Sequence, residues 1–295
     1  MSIQRAPCGE VELAYETFGS PADPTLVLVM GLATQMIGWP EDFCRQLASS
    51  GFRVVRFDNR DIGLSTHLDR AGAPDLSPLF AGEPIQGAPY ALADMADDTV
   101  RLLDALGLDR VHLVGASMGG MIAQEVALQH PERLLSLTSI MSTPAPHLGA
   151  PTPAAGAALL SPPPNTPQEA GERSVAVYRV IGSPGYPLDE EGLQTRGAES
   201  FRRANDPAGI VRQLAAIHAG GDRTERLQQL AVPTLVLHGE DDPLVQLEGG
   251  VATAKAVPGA NLVTFPGMGH DLPQALWPEL VGAIIEHARS AGHAP

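Results

Sequence analysis

The sequence predicts an α/β fold in which a mostly parallel sheet is flanked by helices and interrupted by an inserted helical segment. Short apolar runs bounded by turn residues alternate with amphipathic stretches, as in a parallel sheet with helical crossovers. One run, residues 111–114, passes through a Gly-Ala-Ser-Met-Gly turn directly into an apolar segment that ends at His130-Pro131. The alternation stops after Thr143 and resumes near Pro233, which places the insertion between the strands predicted at residues 134–141 and 233–239.

The individual elements follow from local patterns. Residues 10–18 alternate polar and apolar side chains, as an antiparallel strand with one wet face does, whereas the later strands are continuously apolar and therefore buried. These later strands are predicted at residues 25–30, 53–57, 111–114, 134–141, 233–239 and 261–265. Helices are predicted at residues 39–50, 91–106, 247–257 and 273–290, besides the helix after residue 117, and residues 66–90 are expected to be irregular.

The inserted segment differs in composition from the rest. Residues 144–168 are rich in proline and contain no Asp, Glu, Lys or Arg, and residues 169–229 are expected to be mainly helical. We therefore interpret residues 1–143 and 230–295 as one core domain and residues 144–229 as a helical cap domain.

The composition excludes several functions. The 295 residues carry a formal net charge of −15, and no cluster of Lys or Arg provides an electrostatic site for a phosphate backbone, so we expect no nucleic-acid partner. No segment reaches the roughly 18 consecutive apolar residues of a membrane span. The N-terminus lacks a basic flank followed by an apolar run, and the expected location is cytoplasmic. The oligomeric state is not indicated.

Ser117 is the predicted nucleophile. A tight strand-to-helix turn with glycines two residues before and two after the serine lifts its hydroxyl above the end of the sheet. The alternative is an ordinary turn in which the serine only caps the helix. The predicted partners of the serine favour the nucleophile.

A base and an acid are expected on the loops at the carboxyl ends of the later strands, where active residues collect in open parallel sheets. His270 follows the strand at 261–265 within a Gly-flanked loop, and it can take the serine proton. The loop after residue 238 offers Glu240, Asp241 and Asp242, of which we select Asp242 by motif. These acids could instead only solvate a turn. The backbone N–H groups of Met118 and Leu32 are the expected oxyanion donors.

The motifs together resemble the α/β-hydrolase fold over essentially the whole chain, which implies a mostly parallel sheet of eight strands with the helical cap inserted between strands 6 and 7. The segments MGLATQMIGWP, RFDNRDIGLST, VGASMGGMIAQ and PGMGH resemble more narrowly the aclacinomycin methylesterase group, whose members remove a methyl ester from an anthracycline without a cofactor. The resemblance implies the same roles for Ser117, Asp242, His270, Leu32 and Met118. The chain departs from the wider superfamily in having Met30 before the oxyanion glycine and Asp61 where a glycine is usual.

The predicted activity is that of a serine carboxylic-ester hydrolase, and specifically a methylesterase. No metal and no organic cofactor are expected, and the expected partner is a small apolar ester. The same triad could serve perhydrolysis, cofactor-free haloperoxidation, carbon–carbon bond hydrolysis or lactone hydrolysis, since the fold does not separate them. A ligand-binding protein that has lost turnover is the alternative from another class.

The methionines suggest which substrate enters. Several lie beside the loops past the strand ends, where flexible thioethers suit a bulky, flat, apolar acyl group such as a polyketide. The charge-free entry to the insertion gives no means of binding a charged substrate. The expected substrate contacts are Met30, Gly31, Gln35, Met36, Trp39, Met141 and Met268.

Overall fold

The computed structural model describes residues 3–80, 85 and 87–291. Across these residues, eight strands form one sheet. The strands are β1 (Gln4–Cys8), β2 (Val11–Phe18), β3 (Thr25–Val29), β4 (Arg53–Phe57), β5 (Val111–Ala116), β6 (Leu134–Ile140), β7 (Thr234–Gly239) and β8 (Asn261–Phe265). Their order is β1-β2-β4-β3-β5-β6-β7-β8, with antiparallel pairing at β1-β2 and β2-β4 and parallel pairing elsewhere. The predicted fold class is therefore confirmed.

Helices connect the strands and cover the sheet. They are α1 (Glu41–Ser49), α2 (Ser77–Phe80), α3 (Leu92–Ala105), α4 (Met118–Gln129), α5 (Pro153–Leu159), α6 (Pro167–Ile181), α7 (Glu190–Arg203), α8 (Pro207–Ala219), α9 (Thr224–Leu227), α10 (Leu247–Ala256) and α11 (Trp277–Ala291). Helices α5 to α9 all lie between β6 and β7, and residues 144–229 are called the insertion below. No helix within the described ranges is both long and apolar enough to cross a lipid bilayer.

Some elements differ from the predictions. Strand β1 was not predicted, because Pro7 and the polar residues around it hide the pattern; proline is tolerated there since β1 is an edge strand. Helix α1 begins at Glu41 because Pro40 occupies its N-cap. The stretch expected to be irregular, residues 66–90, contains the short helix α2, and its residues 81–84 and 86 lie outside the described part of the chain.

The central strands are buried on both faces, which explains their continuous apolar runs. Every residue of β3 and β5 is buried. Val27 and Leu113 pack on one side of the sheet with α3 and α4, whereas Leu28 and Val114 pack on the other side with α1 and α11. This double packing fixes the carboxyl ends of the strands, from which the site residues extend.

Buried ion pairs fasten the insertion to the loop that follows β4. Arg212 in α8 donates from Nη2 to Oδ1 of Asp61 at 2.7 Å, and Arg203 in α7 donates to Oδ2 of Asp58 at 2.6 Å. The side chains of both aspartates are 0% exposed. Removing one partner of such a pair would leave a buried charge without compensation, so the pairs fix where the insertion sits on the core.

His112 makes the stability of the fold depend on pH. Its ring is buried in β5, where Nδ1 lies 2.9 Å from the Ser136 hydroxyl, and burial together with nearby His287 lowers its pKa from 6.5 to about 4. The unfolded chain therefore binds a proton between these values that the folded chain does not, and the free energy of unfolding falls as the pH falls from 6.5 towards 4.

His112→Gln should remove this contribution. We expect the loss of unfolding free energy between pH 7 and pH 4 to be smaller by about 3 kcal/mol in this variant than in the wild type. Urea titrations across this pH range measure it, with His130→Gln at the protein surface as the matched control. An unchanged pH dependence in His112→Gln would contradict the assignment.

Candidate active site

Ser117 stands on a strained turn between β5 and α4. Its backbone adopts φ 56° and ψ −123°, a region that residues with a side chain rarely occupy. The turn is possible because its neighbours lack side chains. A Cβ on Gly119 would lie 2.1 Å from the carbonyl oxygen of Val29, and a Cβ on Gly115 would lie 2.1 Å from that of Gly119. These glycines are the outer two of the Gly-Ala-Ser-Met-Gly turn.

Ser117, His270 and Asp242 form one hydrogen-bonded chain. Nδ1 of His270 lies 2.7 Å from Oδ2 of Asp242, and Nε2 lies 2.9 Å from the Ser117 hydroxyl oxygen. A carboxylate only accepts, so Nδ1 carries the proton and Nε2 is left to accept from the serine. This tautomer is the one in which the imidazole can remove the hydroxyl proton.

The environment of the acids distinguishes Asp242 from its neighbours. The Asp242 side chain is 0% exposed, and its Oδ1 accepts backbone N–H bonds from Leu244 at 2.8 Å and Val245 at 2.9 Å. Asp241 is exposed and accepts from the Gly267 N–H at 2.8 Å. Asp242 is thus the acid that reaches the imidazole, whereas Asp241 fastens the loop that carries it.

Two backbone donors lie beside the serine. Met118 is the first residue of α4, so its N–H belongs to the unpaired helix terminus. The loop after β3 brings Leu32 close, since a Cβ on Gly31 would lie 3.5 Å from the Ser117 hydroxyl oxygen. Neither the Leu32 nor the Met118 N–H donates to an acceptor among the described residues. Both are therefore available to a ligand.

The insertion holds this donor loop in place. Ala33 has a left-handed backbone with φ 58°, and its N–H donates to Oε1 of Gln213 in α8 at 3.2 Å. Gln35 is buried, donates to the Ser200 carbonyl at 2.7 Å and accepts from Nε of Arg203 at 2.7 Å. The loop is thus bonded to both α7 and α8.

The loop that carries His270 is also bonded to the insertion. The His270 N–H donates to the Ile181 carbonyl at 2.7 Å, and the Gly185 N–H donates to the Gly267 carbonyl at 2.9 Å. The Ser183 hydroxyl accepts from the Gly269 N–H at 2.9 Å and donates to the Asp271 carboxylate. Burial raises the pKa of Asp271. Residues 181–185, at the end of α6 and directly after it, therefore form a docking segment for the loop that carries His270.

A cavity of about 1340 Å³ opens onto Ser117 and His270. Met30, Gly31, Leu32, Gln35 and Met141, all predicted from the sequence, line it together with Met121. The insertion closes the opposite side. The volume of the cavity exceeds that of most small-molecule sites, so a large ligand fits.

Three of the expected substrate contacts do not line this cavity. Met36, Trp39 and Met268 are each 0% exposed, and none lines the cavity. Trp39 stacks on Phe43 with ring centroids 5.7 Å apart, within the core on the α1 side of the sheet. These residues follow strand ends in sequence, but their side chains point into the core.

Sequence reasoning missed the contribution of the insertion. Helices α6, α7 and α8 each present one face to the cavity, and helical spacing of small and apolar residues was the available signal. Arg173 in α6 is among the lining residues, so the insertion is not without charge where it meets the cavity. The inference from the charge-free residues 144–168 is corrected accordingly.

One cluster has the spacing of metal ligands. Asp61, His67 and Asp206 have side-chain ligand atoms within 4.8 Å of one another. Arg212 contacts both carboxylates, at 2.7 Å and 2.9 Å, and so supplies the compensating charge. Burial opposes the charged form of His67, but bonds to Gly63 and Asp206 outweigh it and raise its pKa. We therefore interpret these three side chains as part of an ion-pair network with Arg212.

Comparisons with known proteins identify the family of the chain. A family model described as the alpha/beta hydrolase fold matches residues 24–178, and one for TAP-like proteins matches residues 216–275. The rhodomycin D methylesterase DauP of Streptomyces sp. strain C5 is 31% identical over 318 residues and covers 96% of each chain. This relative confirms the resemblance to a methylesterase group.

Relatives with other activities are also similar. A 2-hydroxy-6-oxononadienedioate/2-hydroxy-6-oxononatrienedioate hydrolase of Paraburkholderia phymatum is 30% identical over 267 residues, covering 88% of this chain and 85% of its own. The crystal structure of the enol-lactonase from Burkholderia xenovorans LB400 superposes with a TM-score of 0.73 at 22% identity, covering 97% of this chain and 100% of its own. The chain therefore belongs to the α/β-hydrolase family, and it is a hydrolase.

Proposed function

We propose that the protein is a serine carboxylic-ester hydrolase with Ser117 as nucleophile, His270 as base and Asp242 as the acid that orients the base. The observation that carries the proposal is the continuous hydrogen-bonded chain from Asp242 through His270 to Ser117, with distances of 2.7 Å and 2.9 Å. Its serine end opens into the large cavity. A helix-capping serine would need neither partner.

The reaction follows from these contacts. The Ser117 oxygen attacks the ester carbonyl carbon while Nε2 of His270 takes the hydroxyl proton, and the charge on the carbonyl oxygen is stabilised by the N–H groups of Leu32 and Met118. The imidazolium then returns the proton to the leaving alkoxide, and an acyl-enzyme remains. His270 next takes a proton from water, whose oxygen attacks the acyl carbon. The bond between that carbon and the Ser117 oxygen then breaks, the serine oxygen recovers the proton from the imidazolium, and the acid is released.

The proposed substrate is a methyl ester of a bulky, largely apolar acid, and the proposed role of the insertion is that of a cap over it. The volume of the cavity and its wall of Met30, Met121 and Met141 support a large acyl group. The small alcohol portion is suggested by the name of the methylesterase relative.

Carbon–carbon bond hydrolysis and lactone hydrolysis form the second candidate. It is supported by the dienedioate hydrolase and the enol-lactonase, which are similar along most of the chain. The two candidates differ in product: an ester yields an alcohol and an acid, whereas a lactone opens into one molecule and a carbon–carbon bond yields no alcohol.

Asp242→Asn tests the proposed function against a neighbouring control. An amide donates where the carboxylate accepted, so the imidazole takes the wrong tautomer and kcat for a methyl ester should fall about 10³- to 10⁴-fold. Asp241→Asn should leave kcat within about threefold, since its amide oxygen still accepts from the Gly267 N–H. The rate of methanol release, measured at one pH for the wild type and both variants, gives the three values of kcat to be compared. Equal losses in both variants, or no methanol from the wild type, would reject the proposal.

Ser183→Ala tests whether the insertion positions the imidazole. The change removes the acceptor of the Gly269 N–H and the partner of Asp271, so amide exchange across residues 266–271 should accelerate about tenfold. We expect kcat for a small activated ester to fall with little change in KM, because the His270 ring is displaced and the pocket is not. Val180→Ala, on the exposed side of α6 and outside the cavity wall, is the control and should change neither. Unaltered exchange in Ser183→Ala would show that the docking segment does not hold the loop.

A further inference from the structure

One face of α6 forms a continuous wall of the cavity. Ala170, Arg173, Ser174, Val177, Tyr178 and Ile181 all line it, at the spacing of three and four residues that places side chains on one helical face. All but Ile181 are half-buried, as expected of side chains that face a cavity. A ligand in the cavity therefore has this face of α6 beside it.

The orientation of α6 relative to Ser117 is fixed at one end. The Ile181 carbonyl accepts from the His270 N–H at 2.7 Å, so the C-terminal end of α6 lies at the catalytic imidazole of the proposed mechanism. At about 1.5 Å per residue, the Cα of Arg173 lies about 12 Å from that of Ile181 along the helix. Arg173 thus lies about two helical turns from the end of α6 that contacts the imidazole loop.

Arg173 lacks a compensating anion. Its Nη2 donates to the carbonyls of Leu159 at 3.0 Å and Ser161 at 3.3 Å, and its buried Nε has no acceptor. No carboxylate among the described residues lies within 4.0 Å of the guanidinium. Burial lowers its pKa, and no neighbouring acid raises it again.

The other arginine of the cavity differs. Arg196 in α7 lies 3.4 Å from Oδ2 of Asp189, and its charge is compensated within the protein. Nη1 of Arg173, by contrast, has no acceptor among the described residues. A half-buried guanidinium with a free donor gains most from an anionic oxygen, which forms hydrogen bonds with it that are roughly twice as strong as those of neutral groups.

We propose that Arg173 binds an anionic oxygen of the acyl group, a carboxylate or a phenolate, at the end of the substrate remote from the ester. The inference rests on the proposed esterase function and narrows its substrate. The acid is elongated and mostly apolar, it lies along Val177 and Tyr178, and its anionic oxygen lies at Arg173, about two turns along α6 from the Ile181 end. The net charge of −15 repels anions from the protein as a whole. An anionic substrate therefore has to be bound through a short-range contact such as the one with Arg173.

The test uses monomethyl esters of aromatic dicarboxylic acids. Benzene, naphthalene and biphenyl members place the free carboxylate at increasing distance from the ester, and each is paired with a neutral analogue in which methyl replaces the carboxylate. For the wild type we expect the ratio of kcat/KM, anionic over neutral, to rise along the series and to be highest for the longest acid. A ratio at or below one at every length would overturn the proposal.

Arg173→Met identifies the residue responsible, with Arg196→Met as control. In Arg173→Met the anionic-to-neutral ratio for the preferred acid should fall about 10- to 100-fold, and in Arg196→Met it should not change. Arg173 also holds the Leu159 and Ser161 carbonyls, but loosening that segment would affect both members of a pair alike. Equal losses for anionic and neutral esters in Arg173→Met would assign Arg173 a structural role only and reject the proposal.

Failure of the proposed function is separable from failure of this inference. If no methyl ester is hydrolysed, the affinities of biphenyl-4,4'-dicarboxylate and of its monocarboxylate analogue can still be measured by calorimetry. The difference between the two affinities reports the contribution of the second carboxylate. Tighter binding of the dicarboxylate to the wild type, lost in Arg173→Met, supports the subsite. Equal binding of the two acids overturns it.

Discussion

The backbone at Ser117 is the constraint around which the site is arranged. Its left-handed conformation costs of the order of 1–3 kcal/mol and persists only because the neighbouring segments approach without side chains. Gly119 lies against the Val29 carbonyl, and a Cβ on Gly31 would lie 3.0 Å from the Cβ of Ser117. The same close approach brings the Leu32 N–H beside the serine and leaves the N-terminus of α4 behind it. A larger residue at any of these glycines would displace the hydroxyl, the donors or both.

The insertion takes part in holding the site as well as covering it. Its docking segment fixes the backbone of His270 through the Ile181 carbonyl and the Ser183 hydroxyl, and Gln213 fixes the loop that carries Leu32. Both loops extend from the sheet, but neither is secured by the sheet alone. Movement of the insertion as a rigid body would therefore displace the loops of His270 and Leu32 together.

The fold, and the loops that carry the candidate site, could be predicted from the sequence because both depend on patterns that are local in the chain. Continuous apolar runs identify buried strands, and the parallel topology then places the loops of Ser117, Asp242 and His270 at one edge of the sheet. The direction of a side chain is not local: Met36 and Trp39 follow a strand end but turn into the core. The faces of α6 to α8, and the unpaired Arg173 among them, depend on how the insertion packs, which the composition of residues 144–168 could not reveal.

The central claim is that the hydroxyl of Ser117 is activated by His270. Covalent labelling with an aryl fluorophosphonate, followed by peptide mapping of the adduct, tests it most directly, with His270→Ala as the comparison. The account predicts a single adduct on Ser117, formed much more slowly in His270→Ala, in which the hydroxyl has lost its base. An adduct on any other residue, or labelling of Ser117 at the same rate in both proteins, would contradict it.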